Sequence, residues 1–475
     1  MSQFPRRTLL GALAAGLSLG WNVLAEAKPR RRRRPEVNVA QPIVTAPPTH
    51  QASDYVSRDG IHFKLKGETY RYVGANIWYG AYLGSTGITG NRDRLVKELD
   101  DLKALGVVNL RVLGSSELSP LINSLDPAFS NKPGDYNAEL LAGLDFLLAE
   151  MGKRDMKAVL YLTNFWEWSG GMVTYQYWTN GGTYINMNDP NHPWPQFADF
   201  SAQFYAAEAA KQAYWAYVKM IVERTNSITG EAYKDDPAIM AWQLCNEPRP
   251  GGSDAAVKAN TDAYCGWIAD TCALIRSLDA NHLISLGHEG LMGCNMDEDI
   301  LVRAHEHIDY LTAHIWPQNW SWVDAKDLGG TFDAGAAKVQ DYIERHIAIA
   351  QQIDKPLVFE EFGFPRDNVA YEPGTPTTYK DRFYSLIYGA VENAIVQNTP
   401  VAGSNFWAWG GAGRALHADY HMLRGETAYV GDPPHEPQGW YSVFNTDTST
   451  QGLIRQHAHN LVDLTSGKVT QVTAG

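Results

Sequence analysis

Eight short apolar runs, separated by longer amphipathic stretches, limit most strongly what this chain can fold into. They are Tyr70–Trp78, Val107–Leu113, Lys157–Thr163, Ile239–Asn246, Leu283–Gly287, Tyr310–Trp316, Pro356–Gly363 and Val401–Trp409. Between them lie helical patterns. Leu95, Leu99, Leu102 and Leu105 recur at helical spacing until Gly106 stops them, and Leu140–Met151 and Ala256–Leu278 behave likewise. Strands joined by crossover helices make a parallel sheet, and eight such units in a 475-residue chain predict a (β/α)₈ TIM barrel. A doubly wound open sheet is the competitor, but no GxGxxG or phosphate loop follows any strand. Tyr55–Thr69, turning at Lys66-Gly67, reads as a hairpin closing the bottom of the barrel.

Charge and cysteine usage exclude several functions. A net charge of −13 argues against nucleic acid as a partner, because phosphate binding needs a basic face. Cys245, Cys265, Cys272 and Cys294 form no CxxC pair, and no HExxH motif accompanies the histidines, so no metal or other cofactor is expected. At the N-terminus, Arg6-Arg7 precede an apolar run, Thr8–Gly20, and Ala25-Glu26-Ala27 offers a cleavage site. Residues 1–27 therefore read as an export signal, of twin-arginine type with a general secretory signal as the alternative, and 28–50 as an Arg/Pro-rich linker. The catalytic domain is expected over 51–475, in an exported, periplasmic or extracellular monomer without a membrane anchor.

Two connections are long. Asn164–Phe200, rich in Trp, Tyr, Gly and Asn, follows the third strand, and Arg414–Gly439 follows the eighth. Long loops without helix signals are usually functional, and both leave the strand ends where barrel enzymes place their active sites. The fourth strand runs into Asn246-Glu247-Pro248, and the seventh ends Glu360-Glu361-Phe362-Gly363. Side chains alternate along a strand, so one of Glu360 and Glu361 is expected to face the mouth. Two carboxyl groups across a barrel mouth can share the work of hydrolysing a glycosidic bond, one as proton donor and one as nucleophile.

With these residues the chain resembles glycoside hydrolase family five, and within it the bacterial β-1,4-mannanase subgroup. The resemblance covers about Tyr55 to Gly467. It rests on Asn109-Leu110-Arg111, Asn246-Glu247-Pro248, Ala313-His314-Ile315-Trp316, Glu361-Phe362-Gly363 and Asn405-Phe406-Trp407, in that order at successive strand ends. It implies Glu247 as acid/base and Glu361 as nucleophile, with Arg111 keeping Glu361 ionised. Asn246 would bond the sugar 2-hydroxyl, His314 would set the hydrogen bonding around the carboxylates, and Trp407 would floor the subsite of cleavage. Trp78, Trp166 and Glu289 are expected to contact substrate, as is Trp316. Most family members carry Tyr at Trp316, donating to the nucleophile; an indole N–H can donate but not accept.

The substrate implied is β-1,4-mannan, glucomannan or galactomannan. Trp166, Trp168, Tyr175, Tyr177, Trp178, Trp320, Trp322 and Trp409 are placed to offer rings for stacking. A β-1,4-glucanase is the nearest rival, since the two sugars differ by one hydroxyl configuration. End-trimming of manno-oligosaccharides, glycosyl transfer and a catalytically dead carbohydrate-binding barrel are the remaining alternatives.

Overall fold

A computed structural model describes residues 50–468. The expected signal and most of the linker lie outside the described residues. All eight runs form strands of one parallel sheet: β1 (Tyr72–Asn76), β2 (Asn109–Leu113), β3 (Lys157–Tyr161), β4 (Ile239–Gln243), β5 (Leu283–Ser285), β6 (Leu311–Ile315), β7 (Leu357–Phe362) and β8 (Val401–Phe406). Their order, β5-β4-β3-β2-β1-β8-β7-β6, leaves one seam, between β5 and β6. Backbone bonds from Asp309 N to the Ile284 carbonyl (2.9 Å) and from His314 N to the Glu289 carbonyl (3.0 Å) bridge it. The barrel is closed.

A helix follows each strand: α1 (Arg92–Ala104), α2 (Ala138–Gly152), α3 (Glu208–Val222), α4 (Asp254–Leu278), α5 (Glu298–Ala304), α6 (Leu328–Gln352), α7 (Thr378–Val396) and α8 (Thr448–Thr465). In α1 the leucines at 95, 99 and 102 are buried, and the Asn91 side chain caps the first turn by accepting from Arg94 N at 3.1 Å. The right-handed β–α rhythm puts all eight strand C-termini at one end.

At the other end, strands Ser57–Asp59, His62–Leu65 and Glu68–Tyr70 form a three-stranded antiparallel sheet, one strand more than the expected hairpin. Phe63, fully buried, packs edge-on to Tyr310 (5.2 Å) in a cluster with Val159, Met240, Val358 and Ala402 from the barrel strands. The bottom is plugged as the sequence predicts.

The segment 164–200 is not the structureless loop expected. It contains a helix, Gly171–Thr179, and a short one, Gln196–Ser201. The opening of the first is masked in sequence by Gly170-Gly171, whose φ values of +94° and +65° suit glycine alone. A Cβ on Gly170 would lie 2.0 Å from the Glu117 carbonyl oxygen, and one on Gly171 2.4 Å from that of Asn164. The segment 414–439 is irregular throughout. None of the four cysteines is paired, and among the described residues no helix is long and apolar enough to cross a membrane.

Candidate active site

Beyond β4 the chain stays pinned to its neighbours. Asn246 N donates to the Thr163 carbonyl (2.9 Å) and Glu247 N to that of Gly287 (2.8 Å), so both side chains project at the barrel mouth. Glu247 has φ +50°, a left-handed conformation rare for a non-glycine residue and typical of functional sites. On β7 the expected alternation breaks. The register against β6 shifts so that Ala313 pairs with Phe359 but His314 with Glu361, leaving Glu360 as the extra residue of a bulge. Both glutamates therefore turn inward, at different depths. Glu361 lines the cavity, while Glu360 sits below it and accepts from Gln243 Nε2 at 2.8 and 2.7 Å.

Arg111, fully buried on β2, organises the floor. It donates to Glu361, to Asn246 Oδ1 (2.6 Å), to Gln243 Oε1 (2.7 Å) and to Asn76 Oδ1 (3.1 Å), and lies over the Tyr161 ring. His314 Nδ1 is 2.6 Å from Glu247 and 3.3 Å from Glu361, and its Nε2 is 3.7 Å from Glu360. One atom each of Glu247, His314 and Glu361 lies within 4.8 Å of the others. This is also the spacing of a metal-ligand set, but here His314 is itself a cation between carboxylates. Burial disfavours its charge, yet Glu361, Glu247 and Glu360 raise its pKa to about 10.

The electrostatics differ from the simplest expectation. Burial pushes the Glu361 carboxyl up to about 7, with Glu247 and Glu360 adding to the rise and His314 and Arg111 opposing it. Burial also acts on Glu247, but bonds from His314 and Trp166 and the charges of His314 and Arg249 outweigh it and hold that carboxyl below the usual range. The labile proton thus rests on His314, against Glu247. With Arg111 these groups form one interacting set.

Above this floor opens a cavity of about 530 Å³. Of the residues expected from sequence, Glu247, Glu361, Asn246, Glu289, Trp166, Trp316 and Trp407 line it. Trp166 donates its indole N–H to Glu247 at 2.6 Å. Asn246, with its oxygen taken by Arg111 and one N–H by Asn164 (3.1 Å), keeps one amide donor free. Glu289 forms a two-point pair with Arg249 (2.5 and 2.6 Å), which is a wall of the cavity rather than a third reacting carboxylate. Trp316 packs against Trp407 and Tyr441 but makes no hydrogen bond to Glu361, whose donor is Arg111, with the His314 ring 3.3 Å away.

Trp78 is corrected. It is fully buried and off the cavity, its indole N–H donating to the Gly431 carbonyl (3.0 Å) and its ring packed on Trp168 and Tyr429. It props the walls from behind. Tyr175 and Trp409 are likewise buried.

Sequence reasoning missed Arg249, Trp194, His435 and Glu436, which all line the cavity. Arg249 lies two residues past Glu247 and over the rings of Trp166 and Trp194, so proximity to the motif was a usable signal. Glu436 had none. It reaches the site only because Asp432 gathers the ends of its loop, accepting from the backbone N–H groups of Gly439 (2.7 Å) and Tyr441 (2.6 Å) and from the Ser442 hydroxyl. Burial, with Asp432, Glu361 and Glu247 nearby, holds the Glu436 carboxyl well above its ordinary value.

The model of the beta-mannosidase-like group of glycoside hydrolase family 5 matches residues 53–466, nearly the whole described chain. The chain belongs to this family. The putative mannan endo-1,4-beta-mannosidase 4 of Arabidopsis thaliana is 30% identical over 375 residues, covering 74% of this chain and 82% of the relative. The mannan endo-1,4-beta-mannosidase 4 of Solanum lycopersicum is 27% identical, covering 78% and 87%. Among solved structures, a family 5 mannosidase from Rhizomucor miehei superposes with a TM-score of 0.80 at 33% identity, covering 88% of this chain and all of that one. These relatives are plant and fungal, so the likeness is to the family 5 mannanases and mannosidases broadly, not specifically to the bacterial subgroup expected. In this family 5 barrel the strand-end motifs of β4, β6, β7 and β8 line one cavity, with Arg111 of β2 buried beneath it.

Proposed function

We propose that this protein is a retaining glycosidase that cleaves β-1,4-mannosidic bonds in mannan, glucomannan or galactomannan, with Glu361 as nucleophile and Glu247 as acid/base. The observation that carries the reading is the proximity of these two carboxylates, within 4.8 Å atom to atom, above a shared Arg111–His314 floor. Retention needs a separation of about 5 Å, whereas inversion leaves room for a water between them. The named activities of the plant and fungal relatives support the choice of mannan.

Glu361 attacks the anomeric carbon while Glu247, loaded by its short contact to His314, protonates the departing oxygen. A glycosyl ester forms on Glu361 and its negative charge disappears. Glu247, now ionised, takes a proton from water, which displaces Glu361 from the anomeric carbon. Arg111 keeps Glu361 oriented and favours its charged form. The free amide donor of Asn246 meets the 2-hydroxyl, Trp407 and Trp316 form the floor of the cleavage subsite, and Trp166 with Arg249 and Glu289 form the opposite wall.

One observation favours a second reading, end-trimming. Pro433, His435 and Glu436, from the long loop after β8, line the cavity, and a loop in that place would shorten the path for a polymer. We also propose export, on Arg6-Arg7 and the apolar run behind them, and action as a monomer.

Reducing-sugar release from glucomannan, galactomannan and carboxymethylcellulose, with products sized, tests the reading. Mixed manno-oligosaccharides support internal cleavage, and single mannose units support end-trimming. Activity on cellulose alone would overturn the substrate, and no activity on any would leave a dead barrel.

A further inference from the structure

Lys380 is the one lysine fully buried among the described residues. Lysine is rarely buried without a partner, because water holds its charge far better than a protein interior does. Its place adds a second penalty. It is the third residue of α7, where the positive end of the helix dipole disfavours a cation. Burial lowers its ammonium to about 7, so something at this point must favour keeping a lysine there.

What meets it is the far end of the long connection after β8. Lys380 Nζ donates to two successive carbonyls, those of Tyr441 (3.1 Å) and Ser442 (3.0 Å). The charges around it come from four segments: Arg366 after β7, Asp381 on α7 itself, Asp432 in the connection and Asp447 before α8. Arg366 bonds Asp447 and reaches the Ser442 carbonyl at 3.4 Å, while Asp447 also accepts from Phe444 N at 2.8 Å. Asp381 accepts from the Thr377 and Thr450 hydroxyls. Asp432, which gathers Gly439, Tyr441 and Ser442, is favoured in its charged form by Lys380.

The gripped carbonyls belong to a wall of the catalytic cavity. Tyr441 packs its ring on Trp316 at 4.9 Å and donates its hydroxyl proton to Asn319, and both Trp316 and Asn319 line the cavity. Asp432 and Ser442 bracket Pro433, His435 and Glu436, which line it too, whereas Lys380 does not. We propose that Lys380 is a positioning residue, holding the Tyr441 and Glu436 side of the catalytic cavity in place from outside it. Its N–H groups fix two adjacent carbonyls and its charge balances Asp432, a combination that no apolar side chain supplies. The inference rests on the mannan-cleaving function and adds to it a residue that the sugar does not touch.

The test is kcat and KM on β-1,4-manno-oligosaccharides, measured across neutral pH, in the mature protein and in Lys380→Met, which keeps the side chain's length but loses its donors and charge. Below pH 7 the variant's KM is expected to be about tenfold higher with kcat within about threefold, because the wall holds the sugar and not the reacting atoms. The ratio of the two KM values should shrink as pH passes about 7, where the parent's lysine loses its own charge. Glu361 and His314 are the same in both proteins and cancel from that ratio. A variant that melts earlier yet keeps the parent's KM would overturn the proposal, as would a KM ratio constant with pH. Should Lys380→Met not fold, Asp432→Asn, which keeps the shape and removes the partner charge, should raise KM with kcat kept, and an unchanged KM there overturns the role. If the unmodified protein cleaves no manno-oligosaccharide, the function falls and the positioning role with it.

Discussion

His314 sits between three carboxylates, and its charge stabilises the ionised forms of Glu247 and Glu361. Replacing it by Asn removes that charge, so the Glu361 carboxyl, already about 7, should rise further. Below its pKa the nucleophile is protonated and inert. The acidic limb of the kcat/KM profile should therefore move to higher pH in His314→Asn, and a limb that stays put or moves down would contradict the arrangement. Glu361→Ala should lower kcat on the order of 10⁴-fold or more, with the unfolding transition close to that of the parent. Glu247→Ala should be rescued in part by a small anionic nucleophile, which needs no general base to attack the glycosyl ester. At this scale the reacting residues were legible, because a motif and its strand end are local. Glu436 was not, since nothing near it in sequence says that Asp432 closes its loop.

The β7 bulge shows how an element can place side chains that its sequence alone would misplace. Strict alternation sends one of two adjacent glutamates outward, but the register shift at Ala313/His314 brings both Glu360 and Glu361 to Arg111. The shift is a property of the β6–β7 pairing, not of either strand. The 164–200 segment makes the same point, with its helix hidden behind two glycines. Gly170→Ala forces a side chain into the left-handed region and against the Glu117 carbonyl, and should destabilise by about 1–3 kcal/mol. Because Trp166 and Trp168 lie just ahead in the same turn, activity should fall along with the melting temperature. Lower stability with full activity would mean that the turn does not set the position of Trp166.

Across the whole molecule, burial places carboxyl groups where water cannot solvate their charge. Glu117, under the 164–171 turn, accepts from Gly171 N (2.8 Å), yet burial lifts its carboxyl from 4.5 to about 8. Between those values the folded protein holds a proton that the unfolded chain has released, so stability falls as pH rises through the window. Glu167, lifted to about 7 by burial, acts in the same direction. Glu117→Gln stays neutral throughout. Its stability relative to the parent should improve by more than about 1 kcal/mol across that rise in pH, as thermal or denaturant unfolding would show. A constant difference would mean that Glu117 is ionised in the fold.

The sequence by itself determined the (β/α)₈ barrel and the two strand ends that carry Glu247 and Glu361. Apolar periodicity and strand-end motifs act over a few residues and need no knowledge of distant partners. Only the tertiary structure decided that Trp78 is buried behind the wall, that Arg249 and Glu289 pair along one wall of the mouth, and that Glu436 enters the cavity. It also decided that the proton at the mouth is held on His314. Each of these depends on contacts between segments far apart in the chain, and on how much water the closed fold excludes from around a charge.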